Sequence, residues 1–249
     1  MPELPEVETI ARGLAKRVTG DVIESVWLGQ KKEPLKSPAS QIAAALEHTR
    51  IRQVHRMGKH IVFDLENVRT SKSNGRKPNA QWIVHLGMTG RLQVCDPETE
   101  IAKHTHAVLK LSSGRELRFV DPRRFGRLSV ATKTEFDATG IEPLEIDRAR
   151  FILLFRGRKT PIKSALLNQK LLRGVGNIYA DESLFRSGIR PKRRAATINR
   201  DKLAKLHSAI QEVLKEAIAL GGSSVSDYVN ADGEEGFFQL QHLVYGRET

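Results

Sequence analysis

Between Asp21 and Val130 apolar residues recur at every second position in short runs, and beyond Glu145 that spacing gives way to repeats of three and four. One chain that changes period in this way is expected to build two differently constructed halves. Val22 to Leu28, Ile51 to Val54, Ile61 to Leu65, Trp82 to Leu86, Leu92 to Val94, Ala107 to Leu111 and Glu116 to Val120 read as strands of an antiparallel sandwich or barrel. Gln41 to Glu47 reads as one interposed helix, and Val68 to Asn79, rich in Ser, Asn, Gly, Lys and Arg, as an exposed hairpin loop. A Thr, Asp, Gly and Pro linker follows from about Ala131 to Glu145. The second half predicts helices over Arg148 to Arg156, Ile162 to Leu167, Ile178 to Phe185 and Asp201 to Leu220. The last carries Leu203, Leu206, Ile210, Val213, Leu214 and Ala217 on one face and stops at Gly221-Gly222.

The chain opens Met1-Pro2-Glu3-Leu4-Pro5-Glu6-Val7-Glu8. Removal of the initiator methionine leaves a proline with a free secondary amine, whose class titrates near pKa ~7.7–8.0 and is partly unprotonated at neutrality. Such an amine attacks an aldehyde carbon without a separate base, and the iminium it forms has no N–H to lose, so it stays cationic and acts as an electron sink. Glu3 is its chain neighbour. Glu6 lies in the first turn of a helix read from Pro5 and from Val7, Ile10, Ala11, Leu14 and Val18 along one face. The plainer reading is two prolines stiffening a terminus and two glutamates complementing a helix dipole.

Charge narrows the partners. Against 29 acidic residues stand 41 Lys and Arg, a net charge of +12, which points to a polyanion, with nucleic acid foremost. No apolar run is long enough to span a bilayer and no signal-peptide pattern begins the chain, so a soluble, cytoplasmic protein with no membrane partner is expected. Cys95 is the single cysteine, which excludes an intramolecular disulfide and a cysteine-based zinc site; a buried apolar thiol is its expected role. His104 and His106 stand two apart on one strand but lack a third ligand, so no metal is assigned. In Arg173-Gly174-Val175-Gly176-Asn177 the glycines let backbone approach a ligand, Asn177 is placed to cap the next helix, and the helix start is a phosphate site in outline.

Five motifs then fall in order: the proline terminus with its glutamates, Arg56-Met57-Gly58-Lys59-His60, His85-Leu86-Gly87-Met88-Thr89-Gly90, Asp121-Pro122-Arg123-Arg124-Phe125-Gly126, and Gly174-Val175-Gly176-Asn177-Ile178-Tyr179-Ala180-Asp181-Glu182. Together they resemble the bacterial formamidopyrimidine-DNA glycosylase family, over nearly the whole chain to Val244-Tyr245-Gly246-Arg247. Leu4, Met88 and the Arg123-x-Phe125 pair resemble the purine-specific branch rather than the endonuclease VIII branch. The resemblance implies an α+β protein: an N-terminal antiparallel β-sandwich over residues 1–131, a linker over 132–146, and a helical helix-two-turns-helix domain over 147–249, with DNA in the cleft between them. It further implies a monomer that acts on double-stranded DNA carrying oxidised purines or abasic sites, in base excision repair.

By that resemblance Pro2 displaces the damaged base and forms a Schiff base at the sugar C1′, Glu3 is the general acid and base that opens the sugar ring, and Glu6 supports the geometry. Lys59 matches the lysine assigned to β-elimination and phosphate contact; standing alone it would read as a solvated hairpin lysine. His104, Arg123 and Lys159 match DNA-contacting positions, as do His85, Asn177 and Tyr245 at phosphates. An enzyme that works on a base must take it out of the stack, and Met88 and Phe125 suit a wedge for the hole while Arg123 hydrogen-bonds the orphaned cytosine. By hydrophobicity alone the two apolar residues would be core. Ser223, Val225, Asp227 and Tyr228 resemble a capping loop over the extruded lesion, or form an ordinary Gly/Ser loop.

Relatives usually continue into a Cys-x-x-Cys zinc hairpin, whereas this chain ends at Thr249, so the expectation is a chain with no metal cofactor. Truncation and natural loss both fit that ending. The expected consequence is impaired turnover, and the competing reading is a catalytically weak damaged-DNA-binding protein.

Overall fold

A computed structural model describes residues 1–68, 79–131, 136–224 and 236–247. Most of the expected 68–79 loop therefore lies outside the described residues, as do Val225, Asp227 and Tyr228. The chain divides into two compact units, one of Met1–Pro2 and Val7–Asp137, the other of Glu3–Glu6 and, over its described residues, 138–224 and 236–247.

Over its described residues the first unit is built on eight antiparallel strands: β1 (Val22–Leu28), β2 (Thr49–Met57), β3 (His60–Asn67), β4 (Ala80–His85), β5 (Arg91–Cys95), β6 (Thr105–Leu111), β7 (Glu116–Val120) and β8 (Arg127–Ala131). They pair in the order β5-β7-β6-β1-β2-β3-β4-β8, with irregularities in register at Ile23/Ser25, Ile51/Gln53 and Thr105/Ala107. Such irregularities bend a strand and strengthen its twist. Helix α1 (Leu4–Val18) buries Val7, Ile10, Ala11, Leu14 and Val18, the predicted face, in one cluster with Ile23, Phe63, Trp82, Leu109 and Phe119. Helix α2 (Ala39–Leu46) adds Ile42 and Leu46 to it.

Strand β8 is not among the expected strands. It pairs with β4 from His85↔Arg127 to Gln81↔Ala131. Cys95, expected to be buried, ends the edge strand β5 and is only partly buried, because among the described residues β7 alone pairs with that strand. His104 also differs from expectation: it lies in the turn before β6 and is exposed, while His106 is buried with its Nε2 2.9 Å from the Asp121 carbonyl.

In the second unit α3 (Arg148–Phe155), α4 (Ile162–Leu166), α5 (Asn177–Arg186) and α6 (Arg200–Ala219) pack around a separate core. Asp147 caps α3 by accepting from the Arg150 N–H at 2.9 Å, and Asn199 caps α6 in the same way from Lys202 at 2.9 Å. The α6 face predicted from spacing is the buried one. Tyr179, Phe151, Phe155 and Phe238 are fully buried in this core, with Leu4 among them. No helix among the described residues is long and apolar enough to cross a membrane.

Candidate active site and DNA interface

Glu3 sits immediately before the first residue of α1, and Glu6 three positions on accepts the Glu3 N–H through Oε2 at 2.8 Å. This is half of a capping box: the third helical residue satisfies the amide that the helix leaves open. Glu6 Oε1 also accepts from the Tyr179 hydroxyl and from the Ser223 N–H at 2.8 Å. Its carboxyl is pushed above the usual range because burial outweighs the hydrogen bonds that oppose it. Glu6 is thereby locked in place, whereas its neighbour faces the start of another helix.

The Glu3 carboxylate, 5% exposed, accepts the Ile178 N–H at 3.1 Å in the first turn of α5. The helix start read as a phosphate site thus gives this donor to the protein's own carboxylate. Gly176, rather than Asn177, occupies the cap position. A Cβ on Gly176 would lie 2.2 Å from Glu3 Cδ, so only glycine admits the carboxylate here. Asn177 is instead the first helical residue and exposed. Gln169, which sequence reasoning passed over, sets the loop before α5: its Nε2 donates to the Val175 carbonyl at 2.8 Å and its Oε1 accepts from Gly174 N at 2.8 Å. The Gly174 carbonyl in turn accepts the Leu4 N–H at 3.0 Å, which fixes the segment that carries Glu3.

Glu182, on the same helix, is fully buried and accepts three backbone N–H groups, from Leu243 at 2.9 Å, Val244 at 2.9 Å and Tyr245 at 2.8 Å. It anchors the segment that presents Tyr245, whose ring meets His242 edge-on. Ser223 is buried, with its N–H on Glu6 and its hydroxyl 3.1 Å from His242 Nε2. Its place is therefore beneath the carboxylate as well as at the start of the expected loop. Lys159 is exposed between α3 and α4.

In the first unit Pro2 is half-buried and Met1 exposed. Lys59, at the β2–β3 turn, is buried at 9% exposure, which separates it from an ordinary solvated hairpin lysine. The hairpin is braced by Arg56, whose Nε donates to Glu8 Oε2 at 2.7 Å and whose Nη1 donates to the Gly58 carbonyl at 3.2 Å. The same guanidinium helps to hold the Glu8 carboxyl below its usual range, against the opposing effect of burial. His85 pairs across the sheet with His60, the two rings 5.0 Å apart. Burial first, then His60, Arg127 and Lys59, pull its pKa down to about 4. The Gly87 N–H donates to His85 Nδ1 at 3.1 Å, so the neutral ring carries its proton on Nε2, where it can donate.

Met88 is 42% and Phe125 52% exposed, on two loops that follow β4 and β7. They are not core residues. The Arg123 guanidinium lies over the Phe125 ring, 4.9 Å from its centre. A Cβ on Gly87, whose φ is +66°, would meet the Phe125 carbonyl carbon at 2.5 Å, so the two loops touch through a position that admits no side chain. An exposed cation, ring and thioether on adjoining loops can enter a base stack; buried ones could not.

Among the described residues no group of three or more His, Cys, Asp or Glu is placed to hold a metal ion.

The model of the formamidopyrimidine-DNA glycosylase N-terminal domain matches residues 1–128, and that of the formamidopyrimidine-DNA glycosylase H2TH domain matches residues 140–229. The formamidopyrimidine-DNA glycosylase of Gluconobacter oxydans is 42% identical over all of this chain and 89% of its own length. The crystal structure of the MutM (Fpg) protein of Thermus thermophilus superposes with a TM-score of 0.84 at 39% identity, covering 99% of this chain and 88% of that one. A MutM structure in complex with DNA containing carbocyclic 8-oxo-G gives 0.86 at 31% identity, over 98% and 88%. An antiparallel sheet joined to a helical H2TH unit defines the class, that of the DNA-repair glycosylases of this architecture. Within that class, the chain belongs to the formamidopyrimidine-DNA glycosylase family.

Proposed function

We propose that this chain is a bifunctional DNA glycosylase and abasic-site lyase of base excision repair, which removes oxidised purines such as 8-oxoguanine and formamidopyrimidines from duplex DNA. One observation carries the reading: next in sequence to the proline that processing exposes stands a buried carboxylate, held by a helix N–H that only a glycine cap allows to come so near. A binding module has no use for that pairing. An enzyme that bonds covalently to the sugar and opens its ring uses both groups.

In this mechanism the Pro2 nitrogen bonds to C1′ as the C1′–N bond to the base breaks, and the proton that the amine gives up passes to the departing base. Glu3 protonates the ring oxygen as the sugar opens, which leaves a cationic iminium. That cation acidifies the C2′ hydrogen. Loss of the proton, with Lys59 at hand near the phosphate, expels the 3′ oxygen and cuts the strand by β-elimination. Glu6 holds the Glu3 backbone throughout. Met88, Arg123 and Phe125 occupy the vacated stack, with Arg123 facing the cytosine opposite. His85, through its Nε2 proton, and Asn177, Tyr245, His104 and Lys159 engage the phosphate backbone. Every group named is carried by the chain itself.

The test is borohydride reduction of the mature protein with a duplex containing 8-oxoguanine opposite cytosine. A covalent protein–DNA adduct that forms on the lesion strand and is absent on an undamaged duplex supports the reading. Binding without an adduct contradicts it and favours a damage-binding protein.

A further inference from the structure

The exposed Met88, Arg123 and Phe125 stand on two loops that share one buried carboxylate. Asp121 is 0% exposed. Its Oδ1 accepts the Thr89 hydroxyl at 2.6 Å, in the loop that carries Met88. Its Oδ2 accepts the Gly126 N–H at 2.7 Å, closing the turn that carries Arg123 and Phe125. Thr89 Oγ1 also accepts the Arg123 N–H at 3.3 Å, so hydroxyl and carboxylate form one chain across both loops. The Asp121 backbone ties in a third: its N–H donates to the His104 carbonyl at 2.9 Å, and its carbonyl accepts from the Arg124 N–H at 3.3 Å and lies 2.9 Å from His106 Nε2. Arg124 has a φ of +57°, a left-handed conformation uncommon for a side chain of its size, and the turn closes around it.

We propose that Asp121, acting through Thr89, is a positioning residue for base extrusion, holding Met88, Arg123 and Phe125 in the one relative arrangement that enters the stack. The proposal rests on the reading of those three residues as the duplex wedge. Beyond the stacking of Arg123 on Phe125, these exposed side chains have no core packing to fix them, so their geometry follows the backbone below. Two short hydrogen bonds from one carboxylate to two loops make that backbone a single body.

The chemistry of the brace separates the variants. In Asp121→Asn one oxygen becomes an NH2 group; turned toward Thr89 it still meets an oxygen, but the hydroxyl loses its acceptor. Thr89→Val keeps the shape and removes the link, whereas Thr89→Ser keeps the hydroxyl.

The experiment uses the full mature chain and three readouts. The first is single-turnover excision of 8-oxoguanine opposite cytosine and opposite adenine, and the second is borohydride trapping on a single-stranded abasic oligonucleotide, which needs no wedge. The third is 2-aminopurine fluorescence beside an abasic analogue in duplex, which reports unstacking without chemistry. Asp121→Asn and Thr89→Val are expected to lower duplex excision about ten- to a hundredfold, to flatten the preference for cytosine and to reduce the fluorescence rise, while single-strand trapping stays within about twofold. Thr89→Ser should behave as the parent. Unchanged excision and fluorescence in both variants would overturn the proposal, as would an equal loss of duplex excision and single-strand trapping. If the parent itself shows no excision, the glycosylase reading fails, and the fluorescence comparison still decides the role of Asp121.

Discussion

Two regions of this molecule each turn on a buried carboxylate, but they use it in opposite ways. Around Glu3, the Ile178 N–H and a glycine cap grip a carboxylate that is itself the proposed reagent, while Glu6 accepts the N–H of its backbone. Around Asp121 the carboxylate touches no substrate in the proposed scheme; it ties two loops together so that exposed side chains stand still. The contrast separates two requirements. Proton transfer needs one group fixed in a dry setting, while entry into a base stack needs wet, exposed groups on a rigid footing.

The largest expected effect falls on the reagent. Glu3→Gln keeps the size of the side chain and its hydrogen bond from Ile178 but removes the proton-transfer capacity. Single-turnover excision should drop by roughly 10²–10⁴, with duplex affinity in gel-shift titrations nearly unchanged. An activity within tenfold of the parent would move the acid–base role elsewhere.

A pair of glycine substitutions sharpens the comparison. Gly176→Ala drives a Cβ into the Glu3 carboxylate and should lower trapping on single-stranded abasic DNA and excision from duplex alike, each by about a hundredfold. Gly87→Ala strains the wedge loops and should depress duplex excision while sparing single-strand trapping. Identical profiles for the two variants, measured on both substrates, would erase the distinction between the regions.

Glu182 tests whether a carboxylate that is neither reagent nor wedge brace acts through the fold alone. Glu182→Ala leaves three N–H groups without their acceptor, and we expect a loss of about 2–4 kcal/mol in urea unfolding, with hydrogen exchange accelerated first at residues 243–245. Exchange that rises evenly along α5 and α6 would show that the segment is not the part released.

The smallest expected effect concerns pH. His85 titrates near 6.5 when unfolded and at about 4 in the fold, so between those values the unfolded chain binds more protons. Stability should thus be full above pH 6.5 and fall as pH drops toward 4, with His85 contributing on the order of 3 kcal/mol. His85→Gln should flatten that part of the unfolding free-energy profile. A variant with the parent's slope would mean that His60 or His242, whose pKa values are also held down by burial, carries the dependence.

Much of this architecture was legible because periodicity reports burial on one face. Strands β1 and β7 and the buried face of α6 fall where spacing placed them. Strand β8 was passed over although Leu128 and Val130 alternate with Arg127 and Ser129: it is only five residues long and directly follows a six-residue motif that reads as a loop. Asn177 looked like a cap because its residue type favours that position, yet the close approach of Glu3 requires glycine there. The residues to which the sequence assigned no role, Gln169 and, within the quoted motifs, Glu182 and Asp121, share one cause. In sequence each is a polar residue indistinguishable from a solvated one, and what makes it structural is a partner 5 to 63 positions away.

The central claim is that the nucleophile is the amine of Pro2. Borohydride-trapped adduct on abasic-site DNA, digested with trypsin and sequenced by tandem mass spectrometry, locates the bond. The account predicts modification at the N-terminus of the peptide beginning with Pro2 and ending at Arg12. Modification on Lys59, or an adduct of equal yield from protein that retains Met1, would contradict it.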